Sequence, residues 1–448
     1  MKYLRWTLFV ISILVISACN PSTGGGKPDS MLDKNLQDLL NANNISELDF
    51  GPKQDSIKVA LGRLLMYDKE LSGNRDIACA TCHRGTLETT DKLSLSIGTG
   101  GKGSGTNRTM GINRNRVPRN APEVFNRGAP EWHSMFWDSR VSGDPIHGFK
   151  TPAGNLLPKG LENVLAAQAM FPVTSDDEMR GRAGDKDVNG QVNEIAAIDG
   201  TDLPAIWDAI MKRLLAIKFY ERAFAKVYPN VPKSQLGFQH AANAIAAFEI
   251  DAWTTPNSPF DQYLAGNKDA LSDAAKRGGI LFYGKANCVA CHSGNLLTDQ
   301  KHHNIAAPQI GPGKGSKAPL DLGLFLETKN RADLFAFRTP PLRNVSLTGP
   351  YMHNGAYTNL EAAVRHYNNV ADAVKNYDVN QLEPSLRSTV LKKYPAVFLA
   401  TLDPQIKTLN LSDTEINELL AFLEALTDPV DLSLNIPKIV PSGLPVAD

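Results

Sequence analysis

The sequence predicts a mainly α-helical protein in which one helical module occurs twice, joined and flanked by long loops. Three observations carry this expectation. Apolar residues recur at helical spacing: Ile57, Ala60, Leu61, Leu64 and Leu65 fall on one face of the stretch Ser56–Tyr67. No stretch sustains the apolar–polar alternation of a half-buried strand. The run Cys79-Ala80-Thr81-Cys82-His83 returns as Cys288-Val289-Ala290-Cys291-His292, each time behind an amphipathic helix.

The repeated run decides the chemistry. C-x-x-C-H is the attachment signature of c-type haem. Two thiols one helical turn apart each add to a vinyl group of the porphyrin, and the following His projects its imidazole at the iron as proximal ligand. Cys79, Cys82 and His83 form one such set, and Cys288, Cys291 and His292 the other. Two disulfides would not require a His after each pair. A zinc site rarely spans a gap of about 200 residues between its cysteine pairs. Leu61–Tyr67 and Arg277–Tyr283 then read as entry helices of a duplicated module. The expected fold is mainly α, with two cytochrome c-like haem domains and long loops.

The chain has 448 residues, enough for two or three domains with sizeable cores. Lysine plus arginine equals aspartate plus glutamate at 47 each, so no global charge points to nucleic acid. Any docking patch for a charged partner has to be local. Residues 1–19 begin with Lys2 and Arg5, run through apolar Trp6–Ile16 and end in Ser17-Ala18-Cys19. The run is short for a membrane-spanning helix and reads as a signal peptide. Its end resembles a bacterial lipoprotein signal with Cys19 as the lipidated residue; a plain secretory signal is the alternative. The expected location is the periplasmic side of a bacterial envelope, with membrane attachment by lipid only.

Residues 20–48 read as a Gly-rich polar tether followed by a weakly amphipathic stretch from Met31. The first haem domain is expected over 49–230 and the second over 231–430, divided at Pro229–Pro232, with an irregular tail at 431–448. Spacing predicts helices over 161–170, 205–227, 239–250 and 272–283. Ser412-Asp413-Thr414-Glu415 is a capping box opening a helix to Leu426. Ser94–Gly111 and Phe171–Thr201 read as loops, the latter carrying an acidic insertion. Asp185, Asp187, Asn189 and Gly190 have EF-hand spacing, but Ala196 stands where a bidentate Glu is needed. A solvated polar turn is the expectation there.

Beyond the haem motifs, the chain carries RNAPEVFN (119–126), FWDSR (136–140), FDQYLAG (260–266) and FRTPPLRNVSLTGPYMHNGAYTNLEAAV (337–364). In this order, from about Leu61 to Leu426, it resembles the bacterial di-haem cytochrome c peroxidases, and more closely their MauG-like branch. The resemblance implies an oxidoreductase that reduces hydrogen peroxide with electrons from a small redox protein, a cytochrome c or a cupredoxin. A related outcome is a MauG-like oxidase of residues in a partner protein. A non-catalytic di-haem carrier would need a strong sixth ligand on both irons. A homodimer is compatible with the family.

The distal residues carry the implied roles. Where reductively activated members have a distal His after an SIG-like turn, this chain has Thr99, which leaves the first haem open; His133 is the rival ligand. Tyr367 occupies the position of the second haem's distal ligand, with Met352, His353 and His366 as competitors. Glu178 matches the distal carboxylate that moves a proton during peroxide cleavage, beside Asp176 and Asp177. Trp137 matches the Trp lying between the haems. A calcium ion is implied between them, held by the Asn120 side chain and the Thr348 and Pro350 carbonyls, an oxygen set suited to that ion.

Overall fold

A computed structural model of the chain describes residues 30–447. The expected signal segment, Cys19 and the tether up to residue 29 lie outside the described residues. Eight helices frame the fold: α1 (Met31–Ala42), α2 (Ser56–Tyr67), α3 (Leu203–Ala216), α4 (Lys218–Val227), α5 (Phe238–Ala252), α6 (Asp273–Tyr283), α7 (Leu360–Asn368) and α8 (Asp413–Glu424). Strands are few and short. β1 (Ser134–Met135), β2 (Val141–Asp144) and β3 (Gly148–Lys150) form an antiparallel meander. β4 (His302–His303) pairs antiparallel with β5 (Phe337–Arg338), His302 opposite Arg338.

Local chemistry sets the helix starts. The Asp55 carboxylate accepts the free N–H groups of Ile57 and Lys58 at the head of α2. Ser272 caps α6 through the Ala275 N–H, and the expected capping box between Ser412 and Glu415 opens α8. The predicted helix 161–170 is shortened to Val164–Ala169.

The continuous helix expected over 205–227 is instead two helices, because Ile217 is extended with φ −83° and ψ 113°. A β-branched residue is comfortable there. The bend brings the Tyr220 hydroxyl onto the buried Asp68 carboxylate at 2.7 Å. Asp68 also accepts from the Ser442 hydroxyl at 2.6 Å, so the tail is tied to the same point. Periodicity within the segment contains no sign of that long-range anchor.

Two main apolar cores form. In the first, α2 crosses α5, with α3 and α4 behind; in the second, α6 crosses α8, with α1 alongside. A glycine sits at each crossing. A Cβ on Gly62 would lie 1.7 Å from the Ala244 carbonyl oxygen, and one on Gly278 would lie 1.9 Å from that of Glu418. Phe422 of α8 is fully buried and meets Phe260 and Phe282 with ring centroids 5.4 and 5.3 Å apart. Each such side chain removed from water contributes about 1.5–3 kcal/mol.

Core membership departs from the expected boundaries. Helix α5 follows Pro229–Pro232 in the chain yet belongs to the first core, as do Leu432, Val440 and Ala447 of the expected irregular tail. Leu36 and Leu40 of α1, expected beside the tether, are fully buried in the second core. The physical reason is that each entry helix needs an apolar partner, and for α2 that partner lies beyond the proline-rich turn.

Candidate haem sites

The first C-x-x-C-H run begins as one helical turn, Cys79–Cys82, in which the His83 N–H donates to the Cys79 carbonyl at 3.0 Å. Cys79, Cys82 and His83 line one cavity. His83 Nδ1 lies 3.1 Å from the Thr89 carbonyl. The second run repeats the arrangement. Cys288, Cys291 and His292 line a second cavity, and His292 Nδ1 lies 3.0 Å from the Leu297 carbonyl. Both acceptor residues are left-handed, Thr89 at φ 60° and Leu297 at φ 56°.

With Nδ1–H donating to a carbonyl, each imidazole keeps its Nε2 lone pair for a ligand, the usual orientation of a metal-binding His. Burial lowers the pKa of both rings, that of His292 to about 4, so both are neutral and able to ligate. Sequence reading marked the two histidines but not their carbonyl partners, which have no motif.

The first cavity contains Glu178, carried on the π-helical turn Asp176–Arg180. The Thr99 N–H donates to the Glu178 carbonyl at 2.8 Å, and the Thr99 hydroxyl is turned away to Asp76, also at 2.8 Å. Burial raises the Glu178 pKa against the opposing pull of Arg140 and Lys314. Asp176 and Asp177 are instead paired with Arg180 and Arg182. His133 is no ligand here: it is exposed, does not line the cavity, and holds the Glu131 carbonyl with Nδ1 at 3.0 Å.

One carboxyl escaped sequence reading. Glu249 of α5 lines the same cavity, its carboxyl without a hydrogen bond or ion pair among the described residues. Burial pushes its pKa up to about 8. Its only signal was position, a Glu between Phe248 and Ile250 on the apolar stretch of α5.

Tyr367, Met352 and His353 all line the second cavity. The Tyr367 hydroxyl has no hydrogen-bond partner among the described residues, and burial followed by the nearby Cys291 and Cys288 sulfurs raises its pKa. His353 stacks on Phe337 at 3.5 Å and 8°, and its Nε2 is also unpartnered. His366 drops out as a competitor, because the Tyr357 hydroxyl and the Ile305 carbonyl occupy both ring nitrogens at 2.8 Å each.

Trp137 and Arg338 line both cavities. The Trp137 indole N–H donates to the Asn120 carbonyl at 2.9 Å, and the Asn120 N–H donates to the His353 carbonyl at 2.8 Å. Beside them Asp138 is fully buried among Arg119, Arg140 and Lys314. Burial pushes its carboxyl up, but Arg140, Arg119 and Lys314 outweigh it and hold the carboxyl well below the usual range.

The family comparisons agree with this geometry. Residues 56–269 match the sequence model of a family described as di-haem cytochrome c peroxidase. The cytochrome c551 peroxidase of Pseudomonas aeruginosa is 30% identical over 304 residues, covering 68% of this chain and 69% of that protein. The chain belongs to the di-haem cytochrome c peroxidase family. The methylamine utilization protein MauG of Methylorubrum extorquens is 29% identical over 381 residues, 84% of this chain and 80% of that protein. The crystal structure of a MauG-like protein associated with microbial copper homeostasis superposes with a TM-score of 0.60 at 26% identity, over 88% of this chain and 96% of that one.

Haem suits what this family member presents in each cavity: two thiols one turn apart and a neutral imidazole with a free nitrogen. The EF-hand-like stretch does not present metal ligands. Asp185 accepts from Arg114, Asn74 and the Arg182 N–H, and Asp187 from Arg75 and two backbone N–H groups. The solvated turn expected there is present: Lys186 and residues 188–192 are exposed, and only the Asp187 side chain is buried. No cluster of three or more His, Cys, Asp or Glu that could hold a metal occurs among the described residues.

Proposed function

We propose that the first cavity is the site of hydrogen peroxide reduction and that the second receives electrons from a small redox protein, a cytochrome c or a cupredoxin. The observation that carries this reading is asymmetry: the first cavity has no His besides His83 and no Tyr, and offers Glu178, whereas the second offers Tyr367 and His353. Bound haem would supply the redox chemistry for peroxide reduction in the first cavity and one-electron transfer in the second. In the first cavity the Glu178 carboxylate takes the proton of one peroxide oxygen and returns it to the other, so that water leaves. With two protons and two electrons supplied, one peroxide yields two waters.

Tyr367 is the proposed distal residue of the second site; its free hydroxyl supports this over His366. Trp137, between the cavities, is the proposed electron relay. Two cytochrome c-like haem domains are the proposed units, one per cavity. Asn120, Thr348 and Pro350 are the proposed calcium ligands: neither the Asn120 side-chain oxygen nor either carbonyl accepts a hydrogen bond from the described residues. The opening sequence supports an exported, lipid-anchored form through Cys19. No helix among the described residues is long and apolar enough to cross a membrane.

The test is electron paramagnetic resonance of the resting ferric protein with peroxide titration. One high-spin and one low-spin signal with peroxide consumed against reduced cytochrome c is expected; two low-spin signals and no reaction would sink the reading. A second reading, oxidation of a partner protein, is favoured by Tyr367 and by the likeness to MauG. Under it, peroxide is consumed with a protein substrate and without reduced cytochrome c.

A further inference from the structure

Four arginines line the first cavity, and three have a carboxylate partner. Arg119 pairs with Asp321 at 2.7 Å, Arg127 with Glu123 at 2.8 Å and Arg140 with Asp138 at 2.9 Å. Arg338 has no ion pair among the described residues, although it is 2% exposed. Its Nε donates to the Phe136 carbonyl at 3.0 Å, and Nη1 reaches the Thr339 carbonyl at 3.3 Å. Nη2 has no hydrogen-bond partner among the described residues, and the guanidinium carbon lies 5.5 Å from the centroid of the Trp132 ring. Burial and the nearby Arg127 push the guanidinium down to about 9, the direction expected of a cation lacking an anion.

A buried charge left unpaired is costly, so such groups are paired in folded proteins. Arg338 is also held at a fixed place. It lies on β5 opposite His302, and its own N–H donates to the Trp137 carbonyl at 2.9 Å. From there it lines both cavities. A haem carries two acidic propionate side chains, and a guanidinium fork is suited to carboxylates.

Resting on the assignment of haem to both cavities, we propose that Arg338 is the shared counter-charge for the propionates of the two haems. It is a positioning residue, holding carboxylates of both cofactors from one buried point. A cation shared by the propionates of both haems would favour the electron-rich form of each, so its loss would make both harder to reduce.

The test compares Arg338→Gln and Arg338→Lys holoprotein with the unaltered protein. Mass spectrometry counts the covalent haems, and spectroelectrochemical titration reads both midpoint potentials. Expected are two haems in each protein, both potentials more negative in R338Q, and recovery of most of both shifts in R338K. A shift confined to one haem overturns the sharing. No shift, or no recovery in R338K, overturns the counter-charge. Should R338Q fail to mature, resonance Raman propionate modes of the unaltered protein and R338K decide, and unchanged modes for either haem overturn the proposal. An unaltered protein without two covalent haems overturns the haem assignment itself.

Discussion

A Cβ added to Gly62 would lie 1.7 Å from the carbonyl oxygen of Ala244, so α2 and α5 touch backbone to backbone. Any side chain at residue 62 forces the helices apart and opens the first core. Gly62→Ala is expected to destabilise the folded protein by about 1–3 kcal/mol, as overpacking does. Chemical denaturation of the holoprotein measures this. Unchanged stability would mean that the crossing has slack.

Glu178→Gln removes the proposed proton carrier and keeps the shape. Peroxide turnover is expected to fall by about 10²–10⁴-fold with both haems retained, the usual scale of acid–base assistance. Glu249→Gln is the discriminating control, being the other unpartnered carboxyl of that cavity, and is expected to retain most turnover. If the Glu249 variant loses activity and the Glu178 variant does not, the roles are reversed.

The pH profile follows from the Glu178 environment. Burial raises this carboxyl above the 4.5 of an ordinary glutamate. A proton acceptor works in its ionised form, so turnover should decline on acidification at a higher pH than an ordinary carboxyl would give. The acidic limb of kcat/KM should vanish in E178Q.

Trp137→Phe keeps a ring between the cavities but removes the indole N–H and leaves the Asn120 carbonyl unpaired. Stability should fall by about 0.5–1.5 kcal/mol, the range for one hydrogen bond. Rapid-mixing spectra should show the first haem still reacting with peroxide while oxidation of the second lags. Synchronous oxidation of both would remove Trp137 from the electron path.

His303, on the wall of the second cavity, bridges Asp299 at 3.0 Å and Asp403 at 2.7 Å. Asp299 foremost, with Asp403, raises its pKa above the ordinary 6.5. Folding therefore favours the imidazolium. Its contribution is full below the ordinary value of 6.5 and is lost as pH rises through the raised value. Asp299→Asn should lower Tm most near about pH 6, and the gap to the unaltered protein should close towards strongly alkaline pH. A gap that widens with pH would contradict the ion-pair account.

Much of this protein is written locally. The two C-x-x-C-H runs, the α2 and α6 periodicities and the Ser412–Glu415 box each depend on residues within a few positions, and covalent spacing and helix geometry leave little freedom there. The tertiary structure alone decided that α5 belongs with the first core, that Ile217 breaks a helix, and that His366 and His133 have no free place at an iron. It also decided that Arg338 faces both cavities and that Glu249 stands unpaired. Those outcomes depend on burial and on tertiary contacts that no local pattern encodes, some with partners more than a hundred residues away, as with Tyr220 on Asp68. The repeat determined that two similar sites exist, and long-range packing decided how they differ.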